Sequence, residues 1–197
     1  MSFFLNKVGY ALYSPLCWLI LKMKRVKTQG RSFFCGFPSI DNIGSMSIGN
    51  NCRFMSKTKG NAIGLNHTCM ISTATKESKL VIGDNCSFSG VSIWCFSWVI
   101  LGNHVRVGAN CLIMDGDAHQ DDPRSGRNKP IFIEDNVWLG ANVVVKKGVT
   151  IGRNSVIGMN SVVTKDIPAN CIAIGNPCVV VKYFDKNRVK DIEEYFK

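Results

Sequence analysis

Between Ile133 and Asp166 an aliphatic residue stands at every sixth position: Ile133, Leu139, Val145, Ile151, Ile157 and Val163. Glycine follows it at Gly140, Gly152 and Gly158, and the fifth position of each hexad is small or branched (Val137, Val143, Val149, Ser155, Ser161). A period of six fits neither a helix, at 3.6, nor an amphipathic strand, at two. It predicts a hexapeptide solenoid of short strands that turn corners, three hexads or about eighteen residues to a triangular coil. The aliphatic side chains then point inward, and Gly or Asn supplies the corners that need a positive φ.

The rest of the chain is judged against that phase. Residues 28–113 repeat more loosely. Ile48-Gly49, Ile63-Gly64, Ile82-Gly83 and Leu101-Gly102 read as inner-face starts, separated by 15, 19 and 19 residues. The bulky run Ile93 to Val99 fits plain packing, an acceptor cleft or an oligomer contact. Regular phase returns at Leu101, Val107 and Ile113, breaks over residues 114–130, and resumes at Ile133. That polar segment has no inner face, so it must leave the solenoid as a loop. It carries His119 with Asp115, Asp117, Asp121, Asp122, Arg124 and Arg127. Loops on a rigid scaffold often carry function. An exit turn is expected at Gly175-Asn176-Pro177. Beyond it Val189, Ile192 and Phe196 fall at helical spacing, with Asp185 as cap.

Residues 3–21 are strongly apolar and are followed by Lys22, Lys24, Arg25 and Lys27. A signal peptide has its charges before the apolar run, so this order argues against one. Asn6, Lys7 and the Ser14-Pro15 break weaken a membrane span. Two short amphipathic helices lying in a membrane interface fit, with the basic cluster on anionic lipid. So does a helical cap on the solenoid end. The expected organisation is an N-terminal helical segment at 1–27, a solenoid domain at 28–182 and a C-terminal helix at 183–197.

Charge and cysteines change this picture only a little. With 24 basic and 14 acidic residues the formal charge is +10, which suits phosphates, acidic glycans or an anionic membrane. No nucleic-acid-binding motif accompanies it, and no nucleic-acid partner is expected. The nine cysteines contain no C-x-x-C pair. Cys52, Cys86 and Cys111 occupy the small fifth position of a hexad, so they read as buried, reduced structural residues.

Residues 80–182 resemble the left-handed β-helix, hexapeptide-repeat acyltransferases, and within them the sugar and polysaccharide O-acetyltransferases of the maltose, galactoside and capsule-modifying type. The residues that carry the resemblance are Asp117-Ala118-His119, Lys129-Pro130-Ile131, Asn136 to Asn142, Gly148 to Gly152, Ser161 to Pro168 and Gly175-Asn176-Pro177. The resemblance implies an all-β, left-handed parallel β-helix with short terminal helices, assembled as a homotrimer with sites between subunits. It implies acetyl-CoA as co-substrate, no metal, and His119 as general base. Trp138, Gly140 and Ala141 would border the pantetheine arm, Met159 would line the coenzyme channel, and Thr164, Lys165 and Lys182 would lie near the nucleotide. Met159 stands where the family often has Ala, and Val179 where some members carry Arg.

The residues themselves allow this chemistry. An attacking hydroxyl must lose its proton, which suits a neutral imidazole. Asp117 is a candidate to orient that imidazole or to bind the acceptor, and Lys146 and Lys147 join the candidate phosphate contacts. The expected function is transfer of acetyl to a hydroxyl of a sugar, a surface polysaccharide or its lipid-linked precursor, in the cytoplasm and at the inner face of the membrane. A small acceptor (an antibiotic, serine or an amino sugar) and a non-catalytic scaffold remain open. Carbonic anhydrase chemistry on such a solenoid needs three zinc-binding histidines; His67, His104 and His119 lack the spacing.

Overall fold

The structure, a computed structural model, describes residues 2–58 and 61–196; the side chains of residues 2–8 lie outside the described residues, and with them the start of the apolar run. The chain is a left-handed parallel β-helix between two helices. Helix α1 (Ser2–Met23) precedes four coils: β1 (Lys27–Thr28), β2 (Phe33–Cys35), β3 (Ser39–Asn42); β4 (Ser45–Ile48), β5 (Arg53–Met55), β6 (Met70–Thr73); β7 (Lys79–Ile82), β8 (Ser87–Ser89), β9 (Ser92–Cys95); β10 (Trp98–Leu101), β11 (Arg106–Ala109), β12 (Leu112–Met114). Below them lie β13 (Ile131–Ile133), β14 (Trp138–Leu139), β15 (Val144–Val145), then β16 (Thr150–Ile151), β17 (Val156–Ile157), β18 (Val162–Val163). β19 (Cys171–Ile174), β20 (Val179–Tyr183) and helix α2 (Lys186–Tyr195) end the chain.

Every third strand shares a face. The first face runs β1-β4-β7-β10-β13-β16, the second β2-β5-β8-β11-β14-β17-β19-β20, and the third β3-β6-β9-β12-β15-β18. Strand pairs are parallel except β19–β20. The hexad aliphatics lie where the period puts them, all six buried at 1% exposure or less. On the second face they continue an inner file that begins with Phe34, Phe54 and Phe88, whose rings stack at 4.9 and 5.0 Å.

Corner chemistry divides differently from the sequence expectation. Positive φ belongs to the residue before the small fifth position: Asn51, Asn85, His104, Asn110, Asn136, Asn142, Asn154, Asn160 and Asn170, with φ between 55 and 61°, and Gly148 at 78°. Asparagine bears that conformation because its short amide bonds locally. The amides also stack between coils, as in Asn136 Nδ2 to Asn154 Oδ1 (2.9 Å) and Asn154 Nδ2 to Asn170 Oδ1 (2.8 Å). The hexad glycines answer to crowding instead: a Cβ on Gly140 would sit 2.6 Å from the Met159 backbone nitrogen. All nine cysteines are unpaired and buried. Those at fifth positions donate to a glycine carbonyl of the next coil: Cys52 to Gly83 (3.1 Å), Cys86 to Gly102 (3.2 Å) and Cys111 to Gly140 (3.0 Å).

Two sequence expectations need correction. Ile63-Gly64 is no inner-face start: Ile63 is 66% exposed in an excursion, residues 56–69, between β5 and β6. The strand that follows takes its inner residue from Ile71 instead. The N-terminal segment is one helix and not two, with Pro15 inside it. Proline leaves the carbonyl four residues back without its helical donor; here that residue, Ala11, faces solvent, where water can bond it.

One face of α1 closes the first coil. Cys17 and Leu21 join the core above Phe34. Ser14 Oγ accepts from Phe34 N (2.9 Å), and Trp18 Nε1 donates to Ser32 O (2.7 Å), so the helix bonds the outer edge of β2. The cap and the membrane reading are therefore not exclusive, because the opposite face carries exposed leucines. Among the described residues no helix is long and apolar enough to cross a membrane. At the other end Asp185 caps α2 by accepting from Arg188 N (2.8 Å). Val189, Ile192 and Phe196 form its half-buried side, and Phe196 packs 5.0 Å from the His104 ring.

Candidate functional site

The loop 115–130 leaves the corner between the third and first faces, after β12, and its base is polar and buried. Asp115, fully buried, accepts from Phe96 N (2.6 Å) and Ser97 N (2.7 Å) in the corner one coil above. Burial pushes its carboxyl above the usual carboxylate range, against the backbone N–H groups, which lower it. Lys129 N donates to Asp115 O (2.9 Å), closing the neck of the loop. Two exposed tryptophans flank the same corner. Trp94 packs on Phe96 at 4.7 Å, Trp98 lies under the Lys79 ammonium, and Trp94 pairs in register with Met114.

His119 stands on the outer part of the loop, exposed, in an open cleft of about 410 Å³ with Met114, Asp117, Asp122, Arg124 and Ser125. Its main chain is fixed: the carbonyl accepts from Asp122 N (3.2 Å) and from the Ser125 hydroxyl. Asp117 is committed elsewhere. Its carboxylate takes the Lys147 ammonium, which also donates to Gly126 O (3.1 Å), and Lys147 holds the Asp117 carboxyl below its usual range. Lys147, a candidate phosphate contact by sequence, ties the loop to the corner of the next coil. Asp122 and Arg124 form a further pair in the loop (2.6 Å).

The remaining candidates fall into two groups. Thr164 and Lys165 follow β18 at the same third-to-first corner as His119, two coils below the loop's point of departure, and are exposed. Gly140, Ala141 and Met159 lie at the other end of the third face, at the corner it shares with the second. Trp138, 53% exposed, is in an outward file of the second face that runs through Val156 and Ile172 to Lys182. One chain therefore does not bring His119 together with Trp138 and Met159.

The second corner also holds something the sequence concealed. Between β5 and β6, residues 61–69 reach down to the fourth coil. Asn66 N donates to Asn110 Oδ1 (2.9 Å), and Asn110 Nδ2 donates to Gly64 O (3.2 Å). Leu65, 8% exposed, packs in one cluster with Ala109 and Ala141. This excursion roofs the corner at Gly140-Ala141. Its only sequence signal was the irregular spacing around Ile63.

Comparisons with known proteins agree with this architecture. Residues 130–165 match the hexapeptide repeat of succinyl-transferase. The chain is 44% identical over 110 residues to the galactoside O-acetyltransferase of Lactococcus lactis subsp. lactis (strain IL1403), covering 49% of this chain and 53% of that protein, about half its length. It is 35% identical over 155 residues to a Staphylococcus aureus (strain COL) protein carrying an acetyltransferase name, covering 62% of this chain and 77% of the relative. Among solved structures, AntD, an N-acyltransferase from Bacillus cereus in complex with dTDP and 3-hydroxybutyryl-CoA, superposes with a TM-score of 0.68 at 17% identity, over 91% of this chain and 94% of that one. The polySia-specific acetyltransferase NeuO superposes at 0.54 with 23% identity, over 87% and 96%. These two show the shared fold; the identity to the staphylococcal protein over three quarters of its length shows more, and by it this chain belongs to the hexapeptide-repeat acetyltransferase family.

Proposed function

We propose that this protein transfers acetyl from acetyl-CoA to a hydroxyl of a sugar or surface polysaccharide, with His119 as the general base. The observation that carries this reading is an exposed imidazole on a main chain fixed by two hydrogen bonds, in the cleft that interrupts the repeat. Its neutral ring takes the proton of the acceptor hydroxyl as the oxygen attacks the thioester carbonyl, and returns a proton to the departing thiolate. Asp117, paired with Lys147, positions the loop that presents His119. Trp94, beside Met114 at the rim, offers a flat apolar surface against which a sugar ring can lie. The galactoside O-acetyltransferase relative supports a sugar acceptor.

The residues present fit acetyl-CoA. The file from Trp138 to Lys182 is a continuous surface with an aromatic face at one end and an ammonium at the other. Met159 is exposed at the corner it shares with Gly140 and Ala141, and Thr164 and Lys165 complete the set. Because these groups lie on two corners of one chain, we propose a homotrimer in which a neighbour's second-to-third corner meets the His119 corner. Light scattering should give about three times the 21.8 kDa chain mass. We further propose a cytoplasmic protein in peripheral contact with anionic membrane through residues 1–27. The experiment that tests the activity supplies radiolabelled acetyl-CoA with galactosides, oligosaccharides, serine and amino sugars. Acetyl esters on a sugar hydroxyl are expected. Transfer to amines alone, or to no acceptor, overturns the reading.

A further inference from the structure

Helix α1 has two working faces. Ser14, Cys17 and Leu21 close the solenoid, whereas Leu12, Leu16, Leu19 and Met23 point away from it and are 65, 53, 56 and 74% exposed. These four recur at i, i+4, i+7 and i+11, one stripe along the helix. Lys22, Arg25 and Lys27 lie exposed at its end, and Lys24 is bound to Asp41 at 3.2 Å. An apolar stripe beside a basic cluster is complementary to an anionic bilayer, whose acyl boundary takes the leucines and whose headgroups take the cations. Because α1 bonds the outer edge of β2, the stripe faces along the solenoid axis and not sideways.

We infer that the solenoid stands upright on the membrane and holds the His119 cleft at a fixed height, so that the acceptor hydroxyl lies on a glycan well out from its lipid and not on the sugar next to the headgroup. This rests on the acetyl-transfer and membrane readings above. The loop leaves after β12, three ladder steps from β3 in the first coil. Three steps of about 4.8 Å give about 14 Å. The helix adds about 10 Å, so the cleft stands about 25 Å from the plane of the stripe. A headgroup layer is only about 5–7 Å deep. A sugar attached directly to a lipid phosphate stays far below the cleft, whereas an extended oligosaccharide reaches it.

The height can be measured without any acceptor. Every native cysteine is buried, so Arg127→Cys in the exposed loop takes a fluorescent label selectively. On phosphatidylserine/phosphatidylcholine vesicles carrying a lipid dye, energy transfer should report about 25 Å, the sum of coil rise and helix. Flotation should be lost in Leu16→Asp/Leu19→Asp, whose substitutions are on the exposed face and leave the cap intact. Lipid-anchored galactose on spacers of graded length, in the same vesicles, should be acetylated only on the longer spacers, with free galactoside as the control. Failure to float overturns the membrane reading and this inference with it. Flotation with the label near the headgroups, or equal rates on all spacers, overturns the upright geometry alone. If free galactoside is not acetylated, the galactoside reading fails and the energy-transfer height still decides the geometry.

Discussion

Two excursions leave this solenoid, and they are held in opposite ways. The one at 56–69 lies flat: Leu65 is packed with Ala109 and Ala141, and Asn110 binds it twice. The one at 115–130 stands out: a buried carboxylate anchors its neck, an ion pair ties its flank, and His119 is left exposed. Apolar packing makes a wall, and polar tethering presents an imidazole without enclosing it. Substitutions in the two should therefore diverge, in activity for one and in local packing for the other.

The largest effect is expected at the tip of the polar loop. His119→Ala should lower turnover by about 10² to 10⁴, the usual worth of a positioned base. Thermal stability should not change, because the ring is exposed; steady-state acetyl transfer beside a melting curve checks both. His67→Ala and His104→Ala should keep most of the activity. Next comes the neck. Asp115→Ala leaves one buried and one part-buried N–H group without an acceptor, which costs about 2–4 kcal/mol. Denaturant unfolding would show it, and an unchanged midpoint would mean that water replaces the carboxylate.

In the packed excursion, Leu65→Ala should cost about 2 kcal/mol, the low end for a buried leucine, since the site is at the surface. Hydrogen exchange should rise at 61–67 and stay the same at 116–128; a rise in both would show the two excursions to be one unit. The smallest effect is expected at the tether. Lys147→Ala should speed amide exchange over 117–126 and shift global stability little, since both partners are partly exposed. The pair has a pH signature as well. Asp117 has a depressed pKa, so its contribution is present at and above the ordinary aspartate value of 3.8 and is lost as pH falls through the depressed one. Exchange over the loop should therefore be flat from neutral pH down to about 4 and rise below it, once intrinsic exchange is corrected for.

How legible each excursion was follows from the same contrast. The loop at 115–130 interrupts a repeat in strict phase, so its polar residues had no inner face to occupy and could only be a loop. The excursion at 56–69 interrupts a looser stretch and contains an Ile-Gly pair that mimics an inner-face start. Period alone cannot separate Ile63, exposed, from Ile71, buried eight residues on. The regular hexads, the C-terminal helix and its Asp185 cap were all readable because each depends on local spacing. That Asp117 pairs with Lys147, thirty residues away, was not, because that contact exists only once coils stack. The two faces of α1 were half readable: its apolar character was plain, but which side meets Phe34 is decided by the coil beneath it.

Stacked parallel strands with asparagine ladders have the geometry of a filament, in which each edge is a template for the next strand. A molecule built this way must state where it stops. Helix α1 does so at one end by occupying Phe34 N and Ser32 O with side chains that cannot continue a ladder. At the other, β20 runs antiparallel to β19, so a further parallel coil finds no matching register there. The terminal elements thus act as stops on polymerisation, and a chain shortened at its N-terminus would carry an open β edge ready to recruit copies of itself end to end.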